Sequence, residues 1–267
     1  MALASMSEIF ERMMRNGQEF WEVVLADDMD ERQVSREASM AKMLTTWQAM
    51  QDAADSYTGR KRSVSGLVGG DGMKMRQYTF RGCAMTGGYV SEVIAEALSM
   101  AESNACMRRI VAAPTAGACG VLPAVLLPLC KYEELTQHQL LEALYVAAGI
   151  GSIIAYKASI AGASGGCQAE IGTASAMAAG ALVALRGGEG EQIGHAVAMA
   201  LKNLMGLVCD PVAGLVEVPC VKRNVIGAVN AVSAADMALA GIESRIPVDE
   251  VIDAMGEVGR RMPVEFR

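Results

Sequence analysis

Cys167, Cys209 and Cys220 are the residues of this chain whose type and setting best suit chemistry. Each stands beside Gly, Asp or Pro rather than inside an apolar helical run. Cys167 falls in Gly162-Ala-Ser-Gly-Gly-Cys-Gln-Ala-Glu-Ile-Gly172. The other two bracket a segment that Pro211, Gly214 and Pro219 prevent from being one regular helix. Thiolates are soft ligands that suit an iron–sulfur cluster or zinc, and three of them leave one coordination position open. No closely spaced Cys pair, the strong signal for zinc, is present. Free Cys is also commonly a small buried hydrophobe. Spacing alone therefore leaves ligation and packing both open.

The elements that must position these thiols follow from the flanking residues. Cys167 is expected just before, or within the first turn of, a helix over 168–185, where the partial positive charge favours a thiolate. Gly165 and Gly166 let the backbone approach closely, and Pro211 and Pro219 stiffen the chain between the other two cysteines. Cys83, Cys106, Cys119 and Cys130 are assigned to packing. Cys119 is the hardest of these to separate from the site, because of the Gly- and Pro-rich motif around it.

At 267 residues the chain can form one domain with a sizeable core. It is 52% hydrophobic but only 4% aromatic, with 19 Met, so the core must be packed from small and flexible side chains. Net charge of −7 and a pI near 5.0 argue against a nucleic-acid partner, which needs a basic face. Seven cysteines with no disulfide-like spacing fit a reducing cytoplasm. The first eight residues lack a basic region followed by a long apolar run, so no signal peptide is expected. The uncharged stretch 110–130 has the length of a membrane span but carries Pro114, Pro123 and Pro128, so buried core helices are expected and no membrane.

Helical periodicity predicts elements near 8–26, 34–57, 88–103, 121–129, 140–156, 168–185, 191–205, 225–240 and 248–255. Ser5 with Glu8, and Thr136 with Gln139, have capping-box spacing. No convincing period-two strand is visible. The expectation is an all-α single compact domain over 1–267, with Gly- and Pro-rich loops carrying the thiols. A Gly-rich, polar, cationic loop covers 58–72, and the candidate ligands lie within a core segment over 158–224. Neither histidine reads as a base: His138 has a solvated setting, and His195 a structural one.

Long motifs in this chain resemble the iron–sulfur-dependent L-serine dehydratases of bacteria, specifically their α chain or α domain. The matching blocks are 63–72, Ala113-Pro-Thr-Ala-Gly-Ala-Cys-Gly120, 162–172, 206–224 and Asp249-Glu-Val-Ile-Asp-Ala-Met-Gly256. The resemblance implies a [4Fe–4S] cluster on Cys167, Cys209 and Cys220 with one open iron as a Lewis acid, and no pyridoxal phosphate. It implies a cytoplasmic lyase, an L-serine ammonia-lyase of amino-acid catabolism and gluconeogenesis, that yields pyruvate and ammonia. Related substrates such as L-threonine or L-cysteine, and a non-catalytic cluster- or metal-binding subunit, are the alternatives.

For the substrate, the resemblance favours the loop with Ser63 and Ser65. Ser159 and Ser164 precede Cys167 closely enough to line its pocket or to be small residues at a tight turn, and Thr115 has the same two readings. Lys222 and Asn224 follow Cys220 as either site residues or a solvated patch. Lys222 or Arg223 could offset cluster charge or hold the substrate carboxylate. The family's β domain or separate β chain carries a Ser/His-rich motif that has no counterpart here. A β subunit, a homo- or hetero-oligomer, and a general base on the partner are therefore implied. The family's chains usually continue past the position of Arg267 with a Gly-rich tail, which in some relatives supplies a further cysteine. No cysteine follows Cys220 here.

Overall fold

The computed structural model describes residues 3–267; Met1 and Ala2, part of the N-terminal stretch read above for a leader, lie outside them. Its elements are helices, and no strand occurs among the described residues. In chain order they are α1 (Met6–Asn16), α2 (Phe20–Arg32), α3 (Arg36–Asp55), α4 (Asp71–Phe80), α5 (Gly87–Ala105), α6 (Val121–Tyr132) and α7 (Gln137–Lys157). A short turn α8 (Gly162–Gly165) and a π turn (Gln168–Gly172) lead into α9 (Thr173–Leu185). Then come α10 (Gly190–Leu204), α11 (Cys220–Leu239) and α12 (Val248–Arg261).

The centre of the fold is α9, whose sequence Thr-Ala-Ser-Ala-Met-Ala-Ala-Gly-Ala-Leu-Val-Ala-Leu is buried on all sides. It packs against α6, α7, α10 and α11. Small side chains let these helices approach: a Cβ on Gly180 would lie 2.2 Å from Cδ1 of Ile150 on α7. The low aromatic content thus becomes close helix packing, as expected. Of the described helices, α7 alone is long and apolar enough to cross a membrane, yet 67% of its apolar window is buried inside the protein. The stretch 110–130 proves to be a loop followed by α6.

Three departures from the sequence-based expectation have identifiable physical causes. The helix expected over 8–26 is two, because Gly17 takes a left-handed conformation (φ 61°) and ends α1. The loop expected over 58–72 ends at Gly70, where α4 begins. The buried Glu102 carboxylate accepts the N–H groups of Gly70, Asp71 and Gly72 at 3.1, 2.7 and 3.4 Å, capping α4 from a distant helix. The helix expected from 225 begins at Cys220, just after Pro219. The Thr136–Gln139 capping box forms in full. At Ser5 the hydroxyl accepts the N–H of Glu8, while the Glu8 carboxylate turns to the N–H of Ala4.

Chain ends are joined by one carboxylate. Asp249, at the start of α12, accepts the N–H groups of Met6 and Ser7 at 3.0 and 2.9 Å and the Ser7 hydroxyl at 2.7 Å. Lys157, at the end of α7, lies 3.4 Å away. Burial opposes ionisation of Asp249, but the Ser7 and Met6 donors and Lys157 outweigh it and hold the carboxyl below its ordinary value of 3.8. A depressed folded value means that the stabilisation is present above that range and is lost as pH falls through it. Asp249→Asn should therefore cost about 0.5–2 kcal/mol at neutral pH, the size of a lost cap. The gap to wild type should narrow as pH falls from 3.8 through the lower folded value, as read by urea denaturation at neutral and acid pH. Gly180→Val should cost about 1–3 kcal/mol by overpacking α7 against α9, seen as a lower melting temperature.

Candidate functional site

Two buried amides bring the cysteine segments together. The Gln168 side chain donates to the carbonyls of Gly165 (3.0 Å) and Met255 (3.1 Å) and accepts the N–H of Gly206 (2.8 Å). The Gln168 N–H donates to the Leu207 carbonyl at 2.9 Å. Cys167 is thereby held where α8, the loop segment entering Cys209, and α12 meet. Gly166 has φ 77°, and a Cβ there would fall 2.8 Å from the Met262 side chain and 2.9 Å from the Leu207 carbonyl, so no larger residue fits this turn. Asn224 plays the same part on the other side. Its amide donates to the carbonyls of Gly117 (2.7 Å) and Cys220 (3.0 Å) and accepts the N–H of Gly120 (2.8 Å). The motif 113–120 is thus fastened to the first turn of α11, which begins with Cys220. Cys209 lies in the intervening loop, its N–H donating to the Phe266 carbonyl at 2.8 Å.

The three thiols share one electrostatic environment. Burial is the main cause that pushes Cys167 up to about 12, Cys220 up to about 11, and Cys209 upward as well. The negative charge of Glu170 adds to all three shifts, and the guanidinium of Arg223 opposes them. Arg223 faces Cys167 and is held by Asp210 Oδ1 at 2.7 Å and the Val208 carbonyl at 2.9 Å. These are thiols that a cationic group would have to deprotonate on binding. Among the described residues, no three Cys, His, Asp or Glu side chains are close enough to hold a single metal ion. A zinc ion draws its sulfur ligands to about 2.3 Å. In a multi-iron cluster each thiolate binds a different iron, so the sulfurs stand farther apart. The thiols of Cys167, Cys209 and Cys220 are soft donors on three separate segments.

Glu170 is the residue that sequence reasoning missed. It lies three positions after Cys167, inside the π turn, and accepts the hydroxyl of Thr115. A lone carboxylate in an Ala-rich run carries no sequence pattern that marks it as a site residue. The Cys-x-x-Glu spacing was the available signal, and π turns occur often at functional sites.

The other candidates separate clearly. Ser63 and Ser65 donate to the buried carboxylate of Glu217, Ser63 at 2.8 Å. Ser159 and Ser164 bond each other at 2.6 Å beside the turn that leads to Cys167. Lys222 is exposed and faces Asp71 at 3.6 Å, so Arg223, not Lys222, is the cation at the thiols. Asn224 is fully buried, with its amide committed to backbone groups. His138 sits between Glu142 and Trp21, and His195 accepts the N–H of Ser244. Cys119 is fully buried under Met100, as packing requires. A cavity of about 430 Å³ opens elsewhere, between α2, α7 and the turn into α10, and no cysteine lines it.

Comparison with known proteins identifies the family. The model of the family described as "Serine dehydratase alpha chain" matches residues 15–267. The chain is 46% identical over 246 residues to the probable L-serine dehydratase, alpha chain, of Bacillus subtilis (strain 168), covering 92% of this chain and 82% of that one. Identity to the L-serine dehydratase, alpha chain, of Peptoniphilus asaccharolyticus is 39% over 256 residues, or 96% and 88% of the two chains. To L-serine dehydratase 2 of Escherichia coli (strain K12) it is 47% over 173 residues, 64% of this chain but 38% of that longer protein. With nearly its whole length matched, this chain belongs to the serine dehydratase alpha chain family.

Proposed function

We propose that this chain is the α subunit of an L-serine dehydratase that converts L-serine to pyruvate and ammonia without pyridoxal phosphate. The observation that carries the reading is that Glu170 and Arg223 act on all three thiols, with Glu170 Oε2 and the Cys209 sulfur facing one gap beside Gly162. Cys167, Cys209 and Cys220 would hold a [4Fe–4S] cluster. When bound, that cluster supplies a Lewis-acidic iron without a protein thiolate, able to ease departure of a hydroxide.

The chain's own residues then have definite roles. Cys220 opens α11 and Cys167 stands just before the turn into α9, so both lie near the positive ends of helices that favour thiolates. Arg223 offsets the negative charge that those thiolates bring. Gln168 and Asn224 hold the three segments at fixed separation. The π turn keeps Glu170 on the side of the thiols. A cytoplasmic setting suits the seven free cysteines, none of which is paired in a disulfide.

The base that takes the α-proton is assigned to a β subunit, since both histidines here have structural partners. The loop 58–70 is stapled by Ser63 and Ser65 to Glu217, in the segment between Cys209 and Cys220. Around that staple Val64, Leu67, Leu215 and Val216 are exposed. A relative of more than twice the matched length, named L-serine dehydratase 2, leaves room for a further domain or chain, and this apolar rim is the surface we assign to it.

Two outcomes are expected. Anaerobic reconstitution should give about four iron and four sulfide per chain. Cys167→Ser, Cys209→Ser and Cys220→Ser should each lose them, and Cys106→Ser should not. Equal iron in all four variants, or zinc in place of iron, would overturn the ligand assignment. Val64→Asp with Val216→Asp should weaken capture of the β chain at least tenfold while leaving iron content unchanged. Loss of iron in that double variant would instead make the rim part of the cluster site.

A further inference from the structure

Glu170 has a geometry that the cluster alone does not account for. One oxygen, Oε1, accepts the Thr115 hydroxyl. The carboxylate lies against the backbone of Gly117, where an added Cβ would come within 2.6 Å of Oε1 and 2.7 Å of Oε2. Oε2 looks toward Gly162. A Cβ on Gly162 would sit 3.4 Å from both Oε2 and the Sγ of Cys209, so this oxygen and this sulfur border the same small gap. Among the described residues, no protein donor reaches Oε2. Glu170 is half-buried, and this oxygen is open to a group that enters the gap.

The charges around it say what that something is. Glu170 and Asp210 are anions, and the three cysteines become anions when they serve as ligands. The cation among them is Arg223, already committed to Asp210, the Val208 carbonyl and the Cys167 side. Lys222 is turned away to Asp71. The gap at Oε2 is therefore negative, small and bordered by acceptors, and it selects a compact cation with several N–H donors.

We propose that the Oε2 side of Glu170, between Gly162 and Cys209, binds the α-ammonium group of the amino-acid substrate, with Thr115 fixing the carboxylate from behind. This assignment rests on the dehydratase reading and adds to it the residue that recognises an amino acid as opposed to a plain hydroxy acid. Glu170 is a binding residue here: it orients the substrate by ion pairing and removes no proton.

The test compares L-serine with 3-hydroxypropionate, the same molecule lacking the amino group, in the reconstituted holoprotein with its β chain. Binding is read by calorimetry and by perturbation of the cluster spectrum, and turnover of serine is measured alongside. Wild type should prefer L-serine, and Glu170→Gln should reduce that preference about 10- to 100-fold, the range for a hydrogen bond to a charged group. The same variant should raise KM far more than it lowers kcat, keep its iron and sulfide, and leave 3-hydroxypropionate binding unchanged. Glu170→Asp should recover part of the preference, which guards against a folding defect in the first variant. A fall in kcat with KM unchanged, equal losses for both ligands, or loss of iron from Glu170→Gln would overturn the assignment. Wild type that holds no cluster and makes no pyruvate would overturn the dehydratase reading itself, whereas an active wild type with an unaltered Glu170→Gln variant would sink the ammonium site alone.

Discussion

Irregular backbone can be brought together in a protein interior only if its N–H and C=O groups find partners there. In this chain the need is met by two buried amides. Gln168 binds backbone from three separate segments, and Asn224 binds Gly117 and Gly120 of a Gly-rich motif while bonding back to its own helix. Neither touches a thiol through its side chain. Both decide where the thiols are, because Cys167 precedes Gln168 directly and Cys220 lies one helical turn before Asn224. An amide is well suited to such bridging, since it offers donors and an acceptor at once and carries no charge to desolvate.

The composition follows from a related constraint. A core with few aromatics must obtain its density from close helix approach, and α9 with its Ala and Gly residues allows four helices to reach it. That rigid centre ends at its N-terminus in the π turn carrying Glu170. The π turn thus sits at the rim of the most buried helix, while the loop with Ser63 is tied through Glu217 to the segment between Cys209 and Cys220.

Electrostatics divides the cationic pair at the start of α11. Adjacent helical residues point in different directions. Arg223 turns inward to Cys167 and Asp210, and Lys222 outward to Asp71, where it helps hold α4. Ser63 and Ser65, candidates for the substrate, bind a carboxylate of the protein itself, that of Glu217. The interaction joins two segments at the edge of the site.

Much of this was legible beforehand. Helical periodicity, Ala-rich apolar runs and the absence of alternating segments determined an all-α chain, and the Thr136 cap and most of the helix limits followed from local residue types. The motifs around Cys167, Cys209 and Cys220 determined the family. Only the tertiary structure decided that Gly17 divides the first helix, that Glu102 starts α4 from afar, and that Asn224 is a strut buried beneath the site. It alone brought Glu170 to the thiols, since the neighbours that reveal its role, Thr115, Gly117 and Gly162, come from other turns of the chain. Local preferences are set by residues a few positions apart and can be read in order. A shared charge environment depends on which segments meet in space, and that is settled by packing around α9 rather than by any one stretch of sequence.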